Sequence, residues 1–144
     1  MSVIEYALHD RRVEHIIVVG HNHCGGVAFA KRESLQPEEI MECFETKEVP
    51  DWPSPIRQWL QPLGEFAKSL GKMHVDDLMR ESVREQVRKV VDLPDVQAAW
   101  WKEQGEEEGS EPKGRHLKGV HGWWYELETG KVHDLQCSVY APGL

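Results

Sequence analysis

Two histidines and a cysteine lie within four positions of the sequence, in the segment VVGHNHCGG (residues 18–26). His21 and Cys24 are separated by two residues, so an imidazole and a thiolate could reach one small ion if the backbone turns sharply. A soft sulfur together with an imidazole nitrogen favours Zn2+ over Mg2+ or Ca2+. The alternative interpretation is a loop histidine beside an inert buried thiol.

The residues around this pair have more than one possible role. Glycine adopts tight conformations at low cost, so Gly20 before the pair and Gly25 and Gly26 after it would permit the turn. Zinc takes four donors, and His23 is therefore either a solvent-facing side chain or a substitute ligand. Gly25 and Gly26 either present backbone amides to an anion at a helix N-terminus or form a tight turn that starts the helix.

The sequence before and after this pair predicts alternating helices and strands, which indicates an α/β fold. A short helix over residues 2–12 precedes the run HIIVV (residues 15–19), which is typical of a parallel strand buried on both faces. Ligands that follow the carboxyl end of such a strand lie where α/β sheets place their sites. Further helices are predicted from Val27, over residues 56–70 with a kink or break at Pro62, over 76–91 and over 95–104. Strands are predicted over residues 117–127 and 131–135. Residues 33–55 and 105–114 are predicted to be surface excursions.

Composition excludes several classes of function. The chain of 144 residues suits one domain over residues 1–144, and its net charge of −8 is a poor match for nucleic acid or an anionic membrane surface. No stretch approaches the roughly 20 apolar residues that span a bilayer, and the start lacks the features of a signal peptide. Three cysteines without a CxxC pair argue against a disulfide framework. We expect a cytoplasmic protein.

Three segments together resemble the β-class carbonic anhydrases. The stretch SVIEYALHDRRVEHIIVVGHNHCGGV is similar to the helix and strand that end in G-H-x-x-C-G in that family. The later LKGVHGWWYELETGKVHDL is similar to its next strand pair, and ESVREQVRKVVDLPDVQAAW is similar to the helical segment between them. The resemblance implies reversible hydration of CO2 to bicarbonate at a zinc ion. It also implies a reduced parallel β-sheet flanked by helices, without the first strands of the family fold.

The resemblance assigns His21 and Cys24 as the histidine and the second cysteine of a three-ligand zinc site. In the family, the first cysteine belongs to a C-x-D-S-R motif, whose Asp and Arg orient the zinc-bound water. This sequence contains no such motif, so we expect an N-terminally truncated member without an identifiable catalytic residue. The remaining donors are open: His23, solvent, a residue of another chain, Cys43 or Cys137. The last two are better explained as core or interface thiols.

Truncation has consequences for activity and assembly. The missing first strand would lie beside residues 15–19, which would leave an unpaired apolar edge. We expect a homodimer or higher oligomer, or a complex with a paralogous subunit. Activity of the chain alone is expected to be lost or much reduced. The alternative is a non-catalytic subunit or regulatory partner of a complete β-carbonic anhydrase, without its own metal.

His121 is interpreted as a core or hydrogen-bonding histidine, and the other histidines show no spacing that predicts a second metal site.

Overall fold

A computed structural model describes residues 3–35, 53–100 and 116–143 of the chain. Most of the predicted excursions over residues 33–55 and 105–114 lie outside these ranges, as do Cys43 and the end of the predicted helix over 95–104. The described elements are α1 (Val3–His9), β1 (His15–His21), α2 (Gly25–Ser34), α3 (Ser54–Ser69), α4 (Val75–Val91), α5 (Pro94–Trp100), β2 (Gly119–Glu126), β3 (Lys131–Asp134) and β4 (Val139–Tyr140).

The predicted helices are present with small shifts of their ends. The long helix predicted from its apolar stripe is α4. His74 caps its start, and the His74 ring accepts a hydrogen bond from the Asp76 amide at 3.3 Å. α3 continues through Pro62 without a break. None of the described helices is both long enough and apolar enough to cross a bilayer.

The four strands form one mixed sheet. Its order is β1-β2-β3, and β4 also pairs with β2. β1 runs parallel to β2 in a register that extends from His15 opposite Gly119 to His21 opposite Tyr125. β3 and β4 are both antiparallel to β2. The α/β prediction is confirmed, with a parallel core of one strand pair. β4 was not predicted because two residues are too few to show an alternating pattern.

β1 lies at an edge of this sheet and is paired on one side only among the described residues. The prediction that it is buried on both faces is wrong, because its exposure alternates along the strand. Ile16 and Val18 pack against the core, whereas Ile17 and Val19 are 42% and 53% exposed. The described helix that contacts both β1 and β2 is α4, and it covers the face that carries Ile16 and Val18.

Glycines allow the two parallel strands to approach α4 closely. A Cβ atom at Gly20 would lie 2.4 Å from Val83 Cγ2, and one at Gly122 would lie 3.2 Å from Val87 Cγ2. Gly20 is part of β1, so the prediction that it provides a turn is wrong; its role is close packing. The core on this face consists of two clusters, one with Leu8, Val87, Val96, Ala99, Trp100, Leu117 and Val120, the other with Val27, Ala67, Leu78, Met79, Val83, Trp124 and Leu135.

Candidate metal centre

His21 is the last residue of β1 and is exposed. Its Nδ1 lies 2.8 Å from the backbone oxygen of Asn22. Since a carbonyl oxygen can only accept a hydrogen bond, Nδ1 must carry the proton and donate, which leaves the lone pair on Nε2. Metal-ligating histidines usually donate one ring N–H in this way and bind the ion through the other nitrogen. The tautomer of His21 is therefore the one that a ligand requires.

Cys24 occupies the N-cap position of α2, with φ −69° and ψ 107°. Its thiol is free and half-buried, and it packs against the core cluster that contains Val27. The end of a helix at which backbone amides point outward favours a negative charge, as a thiolate ligand would carry. Gly25 and Gly26 are the first two residues of α2, as the tight-turn interpretation predicts, and anion binding at their amides stays a prediction.

The sharp turn between the two candidate ligands is made by His23, whose φ is +55°. This left-handed conformation is uncommon for residues other than glycine, and histidine is among the few that adopt it more often than the rest. The His23 side chain is directed to the β2–β3 hairpin, where its Nε2 lies 2.5 Å from Glu128 Oε1. The role of His23 as a substitute ligand stays a prediction, and it would require this contact to break.

Asn22 and Glu128 hold the loop in place, and sequence reasoning missed both. Asn22 Nδ2 donates to Glu128 Oε2 at 2.6 Å, and Asn22 Oδ1 accepts from the Leu127 amide at 2.9 Å. The hydrogen bond from Asn22 is the largest of the effects that hold the pKa of Glu128 below its ordinary value. The contacts join residues 105 or 106 positions apart. Only the strand register, which places His21 opposite Tyr125, could have indicated them.

The candidate centre is a pair of donors. Across residues 3–35, 53–100 and 116–143, no group of three or more His, Cys, Asp or Glu side chains is arranged to hold a metal ion. Cys137 lies against Gly122 in the core, and burial raises the pKa of its thiol. His21 and Cys24 are donor types that zinc accepts. They offer two donors, whereas a catalytic zinc site has three protein ligands.

The fold and the pair together define a class of protein. It is an α/β protein that presents a histidine and a cysteine between the carboxyl end of a parallel strand and the start of the next helix. The family model described as carbonic anhydrase matches residues 1–132, and the chain belongs to the β-class carbonic anhydrase family.

Relatives and solved structures agree with this assignment. A carbonic anhydrase of Emericella nidulans is 29% identical over 153 aligned residues, which cover 100% of this chain and 54% of the relative. A tetrameric β-carbonic anhydrase of Sordaria macrospora superposes with a TM-score of 0.61 at 23% identity, covering 95% of this chain and 59% of that one. The β-carbonic anhydrase of Coccomyxa in complex with acetazolamide gives 0.65 at 23% identity, covering 96% and 54%. The chain spans about half the length of the curated relatives it matches.

Proposed function

We propose that this chain is a zinc protein of the carbonic anhydrase family whose reaction is the reversible hydration of CO2 to bicarbonate, and that the chain alone has little or no activity. The observation that carries the proposal is the state of His21, whose Nδ1–H is donated to the Asn22 carbonyl, on a loop that also carries Cys24. Family membership supports the reaction. The two-donor centre supports the loss of activity, because a catalytic zinc site has three protein ligands.

The residues of this chain hold and orient a zinc ion in this proposal. His21 binds through Nε2 and Cys24 through Sγ, while the Asn22 carbonyl fixes the imidazole plane and Glu128 fixes the loop. Zinc, when bound, supplies Lewis acidity that allows a water molecule to lose its proton near neutral pH. The Asp–Arg pair that the family resemblance implies would come from outside these 144 residues. A third donor would come from another chain, from solvent or from His23 after it leaves Glu128.

A second candidate function is a non-catalytic subunit or regulatory partner of a complete β-carbonic anhydrase, without its own metal. Two observations favour it. The edge strand β1 exposes Ile17 and Val19, and no three-donor group is present in the described ranges. The partner in either function is a second copy of this chain or a paralogous subunit that covers this edge.

Zinc content and CO2 hydration rate separate these functions. The chain, without a polyhistidine tag and with the exposed His15 of β1 replaced by alanine so that this imidazole does not contribute, is loaded with zinc and dialysed against metal-free buffer. The bound metal is counted by mass spectrometry. We expect about one zinc per chain, lost in His21→Ala and in Cys24→Ser and kept in the matched control Cys137→Ser. Stopped-flow CO2 hydration should stay near the buffer rate.

Two results would overturn the leading proposal. Hydration at the rate of a complete enzyme would contradict the expected loss of activity. No retained zinc, together with unfolding that chelator does not change, would favour the non-catalytic partner.

A further inference from the structure

A pair of imidazole rings lies on the exposed side of the sheet, away from the candidate metal centre. His15 Nδ1 on β1 and His121 Nε2 on β2 are 2.9 Å apart, and the ring centroids are separated by 5.1 Å. His15 is exposed and His121 is half-buried. The two residues are 106 positions apart in the chain, which is why no spacing in the sequence predicted that they meet.

We propose that His15 and His121 form a second metal site, which binds a divalent transition ion such as Ni2+, Cu2+ or Zn2+. Imidazole nitrogen selects these ions over Mg2+ and Ca2+. With metal–nitrogen bonds of about 2.05 Å, two ligand nitrogens are about 2.9 Å apart at a right angle and about 3.3 Å apart in a tetrahedron. The observed separation, which is that of a hydrogen bond between the two rings, also lies in this range. Metal binding would replace this hydrogen bond and would require the exposed His15 ring to turn so that both lone pairs point at one ion.

The surroundings of His121 are those of a supported ligand. The Oγ of Ser138 lies 2.9 Å from His121 Nδ1, on the ring nitrogen that does not face His15. A hydrogen-bond partner on the second nitrogen orients a ligating imidazole and fixes its tautomer. The ring of Tyr140 meets His121 edge-on, with centroids 5.6 Å apart.

Gly119 makes room for this arrangement. It stands opposite both His15 and Tyr140 in the strand registers. A Cβ atom here would lie 3.1 Å from Cε1 and Nε2 of His121 and 3.2 Å from Tyr140 Cδ1. The absence of a side chain thus lets the His121 ring tilt back over β2 towards His15.

Charge also favours a cation at this place. Burial, followed by the neighbouring His15, lowers the pKa of His121 and so favours the neutral ring, in which one nitrogen keeps its lone pair. The nearby Asp134 acts in the opposite direction on the same ring and adds a negative charge beside the site. Two protein donors leave the rest of the coordination sphere to water, so we expect binding weaker than at a full zinc site.

Nickel binding tests this site without oxidising the thiols. The double variant His21→Ala with Cys24→Ser, without a polyhistidine tag, removes the proposed zinc pair and serves as the background. In isothermal titration with Ni2+ at pH 7.5, we expect one ion per chain. Adding His15→Ala should weaken binding about tenfold or more, whereas His133→Ala, which removes an exposed histidine of β3, should leave the affinity unchanged.

Proton NMR identifies the ligands independently of any folding defect. Paramagnetic Ni2+ should broaden the ring signals of His15 and His121 before those of His74 and His133. His121→Ala should weaken nickel binding as His15→Ala does. His121→Gln, which also lacks the imidazole and should weaken binding in the same way, replaces it if His121→Ala does not fold. Unchanged affinity in His15→Ala, or broadening that starts at other histidines, would overturn the proposal. So would the complete absence of binding in the double variant.

Discussion

At the scale of single residues, Asn22 determines how the loop with the proposed zinc ligands is held. Its backbone oxygen orients His21, its backbone amide donates to Tyr125 O at 3.3 Å, and its side chain bonds both Glu128 and the Leu127 amide. One residue thus connects the end of β1 to the β2–β3 hairpin. The sequence motif drew attention to the two histidines and the cysteine and gave no sign of this residue.

The hydrogen bond from Asn22 lowers the pKa of the Glu128 carboxyl group. In Asn22→Ala, the pKa of Glu128 should rise towards its ordinary value of 4.5, because the largest stabilising contact of the carboxylate is removed. Carbon-detected NMR titration of the side-chain carboxyl measures this shift. As a control, the pKa of Glu14, which is lowered by Lys118, should not change. An unaltered pKa of Glu128 in the variant would contradict the described loop.

The same carboxyl group makes stability depend on pH. The folded-state pKa of Glu128 is below its ordinary value of 4.5. The contribution of this carboxylate to the free energy of unfolding is therefore fully present above pH 4.5. It is lost as the pH falls through the lower folded-state pKa. The difference in free energy of unfolding between the wild type and Glu128→Gln should therefore narrow as the pH is lowered from 6 to 3. Urea unfolding at a series of pH values measures this difference in free energy. A difference that widens on acidification would contradict a lowered pKa of Glu128 in the folded state.

Gly20 is a residue whose role depends on packing. In Gly20→Ala, the new methyl group would lie 2.4 Å from Val83 Cγ2, and we expect a loss of about 1–3 kcal/mol in the free energy of unfolding. The matched control is Gly64→Ala within α3, where the nearest atom to a Cβ is Ala30 O at 3.5 Å; it should be neutral or up to about 1 kcal/mol more stable. Chemical denaturation compares them, and equal effects would contradict close packing of β1 on α4.

At the scale of elements, the edge strand β1 is the surface through which we expect the chain to contact a partner. Its inward side chains pack on the core. Its outward side chains Ile17 and Val19 are exposed beside a backbone edge that pairs with no strand in the described part of the chain. Apolar edge strands of this kind associate with other chains unless charge or proline prevents it. We therefore expect self-association to depend on this strand.

A lysine on β1 tests that dependence. Val19→Lys should change the free energy of unfolding by about 0.5 kcal/mol or less, because the side chain is exposed, and should reduce self-association. Val132→Lys introduces the same charge at an exposed valine of β3 and should leave self-association as it is. Sedimentation velocity measures the distribution of species. Equal behaviour of the two variants would show that β1 is not the interface.

The sequence predicted features that depend on neighbouring residues and missed features that depend on contacts between distant parts of the chain. The long helix α4 and the strands β1, β2 and β3 were predicted because hydrophobic periodicity is a local property. The exposure of Ile17 and Val19 was not, since a β-branched run looks the same whether one or both faces are covered. For the same reason the motif indicated His21 and Cys24, while the contacts of Glu128 and the meeting of His15 with His121 depend on strand register.

At the scale of the whole molecule, the chain carries one part of a family fold. It matches the carbonic anhydrase family model over residues 1–132 and spans about half the length of its curated relatives. Within that part, His21 ends β1 and Cys24 caps α2, so the two side chains flank one short loop. We propose that these two side chains bind zinc as an incomplete ligand set.

X-ray absorption spectroscopy of the zinc-loaded chain tests this claim most directly. The His15→Ala variant is used so that the two-histidine site does not contribute. We expect one sulfur at about 2.3 Å from zinc and nitrogen or oxygen donors at about 2.0–2.1 Å, with the sulfur lost in Cys24→Ser. A spectrum without sulfur, or one that Cys24→Ser leaves unchanged, would contradict it.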